Sequence, residues 1–217
     1  MRIDVMFDTV CPWCFVGKRR LTQALARRPG VPLDLRYHPF LLNPDMPVGG
    51  IDRAVYLARK FGGTHRARRV LEAVSMASQG TGARFNFSAI RRMPNSVGSH
   101  RLLRVATECD RTDETLDAIF RAFFEEGRDI GDRAVLDDIA ESVGLPMARV
   151  QAEFARPDGF TDVLTANARA HSMGINGVPS FVFSGSYAVA GAQEPDVLLR
   201  LIDLALETQV REPVTVS

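Results

Sequence analysis

Apolar and polar residues alternate in a few short stretches of this chain and follow a helical rhythm almost everywhere else. Residues 2–7 set Ile3, Val5 and Phe7 against Arg2, Asp4 and Met6, the two-residue period of a strand. From Pro12 to about Arg28 the alternation is gone, and Leu21, Ala24 and Leu25 recur at helical spacing until Pro29-Gly30 stops them. Leu33, Leu35 and Tyr37 alternate again, so residues 32–38 read as a second strand. A strand, a helical crossover and a strand predict a parallel, right-handed βαβ unit.

Between about residues 51 and 172 the strand signal almost vanishes. Leu102, Val105, Ala106 and Cys109 fall at i, i+3, i+4 and i+7, as do Leu116, Ile119, Phe120 and Phe123, and then Leu136, Ile139, Ala140 and Val143. Each series lines one face of a helix. Helix starts are expected at Asn95 or Ser96, Asp113 and Asp132, with Gly127, Gly144-Leu145-Pro146 and Pro157 as stops. Strand character returns in Ser180–Phe183 and Tyr187–Ala190, joined by Ser184-Gly185-Ser186 as a hairpin. A last helix follows Pro195, with Val197, Leu201 and Leu204 expected on its inner side, and the tail Glu212-Pro213-Val214 is expected to be loose. Neither flank holds enough strands to fold by itself. The pattern therefore predicts one discontinuous α/β domain from residues 1–45 and 173–217, interrupted by a helical insertion domain over 46–172.

Composition narrows what such a fold does. The 217 residues are 46% apolar and 24% charged, an ordinary globular balance. With 27 basic and 26 acidic residues the net charge is +1, which argues against a nucleic-acid partner, since phosphate binding needs a surplus of cations. No apolar run approaches the ~20 residues of a membrane span, so no membrane partner is expected. The N-terminus, Met1-Arg2-Ile3-Asp4-Val5-Met6-Phe7-Asp8, is broken by acids and carries no secretory pattern, so a cytoplasmic location is expected.

Three cysteines supply the candidate chemistry. Cys11 and Cys14 form a CxxC, Cys109 stands on a helical apolar face and reads as a packed core thiol, and the four histidines show no ligand spacing, so no metal site is expected. The CxxC falls where the first strand passes into the first helix, the place of a thioredoxin-like redox pair. Cys11 at the N-cap meets unbonded N–H groups and the positive end of the helix dipole, which favour a thiolate. Cys14 is one turn further on and faces inward, and Pro12 suits the first helical position. Trp13 offers no titratable ring, and Lys18 and Arg19 add positive charge downstream. Pro179, immediately before a strand, is either cis, presenting the Val178 backbone to a substrate beside the CxxC, or an ordinary trans proline opening an edge strand. Asp8, three residues before Cys11, either bonds nearby backbone or tunes the thiolate.

The segments Val10-Cys11-Pro12-Trp13-Cys14-Phe15-Val16-Gly17-Lys18-Arg19 and Gly177-Val178-Pro179-Ser180-Phe181-Val182-Phe183 resemble the DsbA-like thiol–disulfide oxidoreductases of the FrnE type. That group shares the thioredoxin-fold superfamily with 2-hydroxychromene-2-carboxylate isomerases and kappa-class glutathione transferases. Pro39-Phe40-Leu41-Leu42-Asn43-Pro44, Met93-Pro94-Asn95-Ser96 with His100-Arg101-Leu102, Gly127-Arg128-Asp129-Ile130 and Val189-Ala190-Gly191-Ala192-Gln193 extend the likeness over about residues 3–206. The resemblance implies a DsbA-like thioredoxin fold with a large all-helical insertion, Cys11 as nucleophile, Cys14 as resolving thiol and Pro179 as cis-proline. It also brings Pro12, Trp13, Val178, Asn43, Asn95 and His100 forward as substrate-binding candidates, although the last three also read as a turn residue, a helix cap and a packed helical side chain.

These readings converge on a cytosolic thiol–disulfide oxidoreductase acting on a disulfide-containing protein or a small thiol substrate. No cofactor is obligatory, and the shared frame leaves room for a glutathione pocket and for a homodimer. The alternative is a glutathione-dependent isomerase or transferase. That branch typically carries serine at the nucleophile position, and the presence of both Cys11 and Cys14 favours dithiol chemistry.

Overall fold

A computed structural model describes residues 1–211; the tail 212–217, where a loose end was expected, lies outside the described residues. Strand β1 (Arg2–Phe7) leads through Cys11 into α1 (Pro12–Ala26) and back to β2 (Asp34–Pro39). The chain then leaves the sheet through β3 (Ile51–Asp52), α2 (Arg53–Phe61), α3 (Thr64–Ala77), β4 (Arg92–Met93), α4 (Val97–Glu108), α5 (Thr112–Phe120), a π-helical turn (Arg121–Glu125), α6 (Arg133–Ser142), α7 (Met147–Ala155) and α8 (Gly159–Ser172). It returns through β5 (Ser180–Phe183), β6 (Tyr187–Ala190) and α9 (Pro195–Arg211). The order, βαβ, then a mostly helical block, then ββα, is the one the sequence predicts.

The main sheet has the order β2-β1-β5-β6. Central β1 pairs in parallel with β2, Val5 opposite Tyr37, and antiparallel with β5, Val5 opposite Phe181. The strands before and after the helical block thus flank the same partner, and the long excursion begins and ends at one sheet.

Alternation along β1 sends Ile3, Val5 and Phe7 to the face where Phe15 and Leu21 of α1, Phe181 and Phe183 of β5, and Leu198 and Ile202 of α9 are buried together. Burying each such side chain contributes roughly 1.5–3 kcal/mol. Met6 points the other way and is buried too, packed with Phe40 and Ala170 under α8. Both faces of the sheet are covered, which the grouping of Met6 with polar residues did not anticipate.

The insertion's expected faces are where the spacing puts them: Leu102, Val105, Ala106, Leu116, Ile119, Phe120, Phe123, Leu136, Ile139 and Ala140 are all buried. It also contains the short β3–β4 ladder, Ile51 opposite Met93, whose two-residue strands are too brief to leave a period in the sequence. At the π-helical turn, Glu126 N–H bonds to the Arg121 carbonyl at 3.1 Å, and the consecutive Phe123 and Phe124 are both buried. Cys109 packs against the core as expected, but at its margin and not fully buried. It caps the C-terminus of α4, half-buried, with its sulfur 3.6 Å from Arg149 Nη1.

The last helix faces differently from the expectation. Leu198, Ile202 and Ala205 are buried and Leu201 is half-buried against the core, whereas Val197 and Leu204 are exposed. Both series have helical spacing, and the approach of α9 to α1 and β5 selects the one a residue further on.

Charged anchors join α1 to the insertion. Lys18, 4% exposed, holds Asp113 and Asp117 of α5 at 3.0 and 2.9 Å, and Arg19 holds Asp117 at 3.2 Å. These cations are paired, so the positive potential expected from them at the CxxC is largely neutralised.

Candidate active site

Cys11 is the N-cap of α1, with extended backbone at φ −90° and ψ 111°. Pro12 stands inside the first turn, where a missing N–H costs no helical bond. The Cys11 sulfur accepts the Cys14 N–H at 3.3 Å, and the Cys11 carbonyl receives Cys14 and Phe15 N–H at 3.0 and 3.4 Å. One residue therefore closes the helix start with both side chain and backbone. Both cysteines are free thiols.

Cys14, one turn along, is buried and hydrogen-bonds with Cys11. Burial pushes its thiol pKa well above the ordinary value; the hydrogen bond with Cys11 and the Cys11 charge add to this, while a hydrogen bond from the Asp8 backbone opposes it. Cys14 thus holds its proton within reach of the neighbouring sulfur.

The Val178–Pro179 peptide bond is cis, and the Val178 carbonyl lies 3.7 Å from the Cys11 sulfur. The approach is close because α1 carries Gly17 where it crosses this segment. A Cβ at position 17 would lie 2.9 Å from Pro179 Cγ and 3.2 Å from Phe181 Cζ.

Beneath the motif is a buried carboxylate. Asp8, 0% exposed, accepts the Leu42 N–H at 2.8 Å and the Val10 N–H at 3.4 Å, and Asp8 Oδ1 lies 3.5 Å from His100 Nε2. His100, itself buried, meets the Phe7 ring edge-on at 5.1 Å. Both readings of Asp8 have a basis: it ties down the loop after β2 and sits under the thiol pair.

Cys11, Pro12, Trp13 and Val178 line one cavity of about 230 Å³, opposite Arg53, Tyr56, Leu57, Lys60 and Phe61 of α2 and Phe123 and Phe124 of the π-helical turn. Asn43 neighbours Tyr56, which borders this cavity, and its buried Nδ2 has no hydrogen-bond partner among the described residues. Burial raises the pKa of the Tyr56 phenol, the Asn43 side chain opposes the shift, and the nearby Asp8 and Cys11 charges add to it.

Asn95 and His100, substrate-binding candidates that also read as a helix cap and a packed helical side chain, do not border this cavity, and the second reading of each is the one seen. The Asn95 amide is engaged locally, accepting Val97 N–H at 2.9 Å and donating to the Met46 carbonyl at 2.7 Å. His100 borders a different cavity, with Phe7, Tyr37 and Arg104. Both side chains belong to the framework that seats α4 against the sheet.

Arg53 and Tyr56 were not singled out from the sequence. The available signal was the spacing of Arg53, Tyr56, Leu57, Lys60 and Phe61, one continuous face of a helix.

A CxxC capping the first helix of a thioredoxin-type sheet, its first sulfur beside the backbone preceding β5, defines the dithiol exchange proteins built on this fold. The chain belongs to the DSBA-like thioredoxin domain family, which matches residues 2–203. It is similar to a probable DsbA oxidoreductase from Streptomyces coelicolor, 29% identical with a TM-score of 0.87, covering 100% of this chain and 94% of that one. It is 27% identical over 205 residues to the uncharacterized protein YwbO of Bacillus subtilis (strain 168), covering 93% of this chain and 96% of that protein. The cytosolic disulfide reductase DsbM of Pseudomonas aeruginosa, solved with glutathione, shares the fold at 21% identity and a TM-score of 0.67, with 98% and 100% coverage.

Proposed function

We propose that this chain is a cytosolic thiol–disulfide oxidoreductase in which Cys11 is the nucleophile and Cys14 the resolving thiol. The observation that carries the reading is the placement of the Cys11 sulfur. It caps α1, accepts the Cys14 N–H at 3.3 Å, borders an accessible cavity and has a protonated second thiol against it.

Thiol–disulfide exchange needs an attacking thiolate, a line of approach and a second thiol that releases the product. The N–H groups opening α1 stabilise negative charge on Cys11. The Val178 backbone beside that sulfur aligns the incoming disulfide, with Pro12 and Trp13 forming the adjacent wall. Cys11 attacks, one thiolate leaves, and a mixed disulfide forms. Cys14 then gives up its proton, attacks Cys11 and frees the second thiolate. Its raised pKa keeps it from competing in the first step.

The two sulfurs carry both electrons, so the cycle calls for no bound cofactor, and a small thiol such as glutathione is the proposed reductant. Having both cysteines, where a glutathione-dependent isomerase would present a serine, supports exchange over isomerisation. The cytosolic assignment is supported by the DsbM fold relative, described as a cytosolic reductase.

The test is equilibration in glutathione redox buffers followed by alkylation and mass analysis, together with turnover of hydroxyethyl disulfide. A reversible Cys11–Cys14 disulfide is expected, with turnover abolished in Cys11→Ser. Turnover by Cys11→Ser equal to wild type would overturn the proposal.

A further inference from the structure

We propose that the cavity beside Cys11 is a binding site for a small disulfide with an aromatic body and a carboxylate, and that Arg53 receives the carboxylate. This names a substrate class for the exchange chemistry proposed above and rests on it.

Three features of the cavity select the ligand. The first is access. Cys11 is only 3% exposed and borders a recess of about 230 Å³. The sulfur is therefore approached through this recess. Its size exceeds the roughly 150 Å³ that holds benzene in an apolar cavity and falls below the ~300 Å³ where drug-sized pockets begin. A substituted single ring fits it.

The second feature is the wall. Trp13, Tyr56, Phe61, Phe87, Phe123 and Phe124 all border the space, and aromatic groups prefer offset or edge-on contact with another ring.

The third is charge. Arg53 lies over the Phe87 ring at 5.5 Å and donates to the Phe87 carbonyl, yet among the described residues no carboxylate pairs with it. Burial lowers its pKa, the mark of a cation taken from water without an anion in return. Lys60 borders the same space and continues into a surface hollow with Arg66 and Arg69, and neither lining contains an acid. The cavity bordered by His100 is the contrast. There Arg101 and Arg104 are already paired with Glu153, at 3.3 and 2.6 Å.

The reaction balances without another reactant. The Cys11 thiolate bonds to one ligand sulfur, the ligand S–S bond breaks, and the departing arylthiolate takes up the proton Cys11 released. Cys14 then bonds to Cys11 and displaces the second arylthiolate, which takes the Cys14 proton. Two electrons pass from the protein dithiol to the ligand disulfide.

The probes are dithiobis(nitrobenzoate), aromatic and anionic, and dithiodipyridine, aromatic and neutral, each reacted with the reduced full chain in single turnovers. Replacing Arg53 by Gln is expected to weaken saturation by the anionic probe about tenfold, the scale of one charge-assisted hydrogen bond, with the neutral probe within about twofold. Arg53→Lys is expected to restore most of the loss, and Lys60→Gln to lower the anionic rate alone by about twofold, the scale of an exposed charge. Nitrobenzoate, which has no sulfur to exchange, is expected to protect Cys11 of the wild type from iodoacetamide, and nitrobenzamide is not. Equal losses for both probes, or no loss for either, would overturn the site, as would absence of nitrobenzoate protection. None of these outcomes touches the exchange reading, which stands or falls on Cys11→Ser.

Discussion

Gly17 gives the most exacting test of how the site is held together. Replacing it with alanine adds one methyl to the buried face of α1, where an ideal Cβ lies 2.9 Å from Pro179 Cγ, 3.2 Å from Phe181 Cζ and 3.4 Å from Pro179 Cβ. The first distance is shorter than real Cβ contacts tolerate, and a proline ring has no free end to swing aside, so helix and loop must separate. Alanine also improves the helix by about 1 kcal/mol over glycine, whereas overpacking a core costs about 1–3 kcal/mol. The balance is a net loss of about 1 kcal/mol for Gly17→Ala, a fall of roughly 2–4 °C in Tm for a chain of this size. Gly17→Val adds more bulk and loses helix propensity, and is expected to lose more than about 2 kcal/mol. The separation also moves Val178, whose carbonyl lies 3.7 Å from the Cys11 sulfur, so exchange should slow more than stability falls. Urea unfolding gives the first quantity, and stopped-flow reaction of the reduced protein with dithiodipyridine gives the second. Should Gly17→Ala prove more stable by the full propensity gain, with exchange unchanged, the close packing of α1 on Pro179 would be refuted.

Further outcomes follow from other parts of the fold. Because the folded pKa of Cys14 lies above its unfolded value, the unfolded chain loses that proton first; stability is full below the ordinary thiol range and declines as pH rises through it, by up to about 1.4 kcal/mol per pH unit. Tyr37, raised by burial and then by Asp113, extends the decline to higher pH. Denaturant titrations across alkaline pH should show the thiol contribution in the reduced protein, none of it once Cys11 and Cys14 are oxidised, and a shallower decline at the highest pH in Tyr37→Phe. Glu153, 5% exposed, is held by Arg101, Arg104 and Arg156 at 3.3, 2.6 and 3.0 Å, so Glu153→Ala should cost about 3 kcal/mol in urea unfolding while leaving the rate with dithiodipyridine unchanged. Asp8→Ala removes the acceptor of the Leu42 N–H and should cost about 2–3 kcal/mol by the same measurement; an unchanged midpoint would show that the buried carboxylate does not secure that loop.

The sequence alone determined the order of elements in the sheet domain, the inner faces of the middle helices and the redox pair. Each of these is written in local spacing: a period of two for β1, a period of 3.6 for α4, α5 and α6, and two cysteines one helical turn apart with a proline between them. What it left open depends on which surface meets which. The register of α9 was ambiguous because Val197, Leu201 and Leu204 recur as regularly as Leu198, Ile202 and Ala205, and only docking against α1 and β5 separates them. Asn95 and His100 sit close to matching motifs, yet their polar atoms face Met46, Val97 and Asp8 rather than the cavity. The wall opposite Cys11 was hidden for the same reason. Arg53 and Tyr56 lie some forty positions along the chain, on a helix whose single apolar and basic face is no different in sequence from any surface helix. Tertiary structure decided that this face turns toward the sulfur and that, among the described residues, no acid accompanies Arg53 there, because proximity between distant segments comes from the packing of whole elements and leaves no periodic trace in either one.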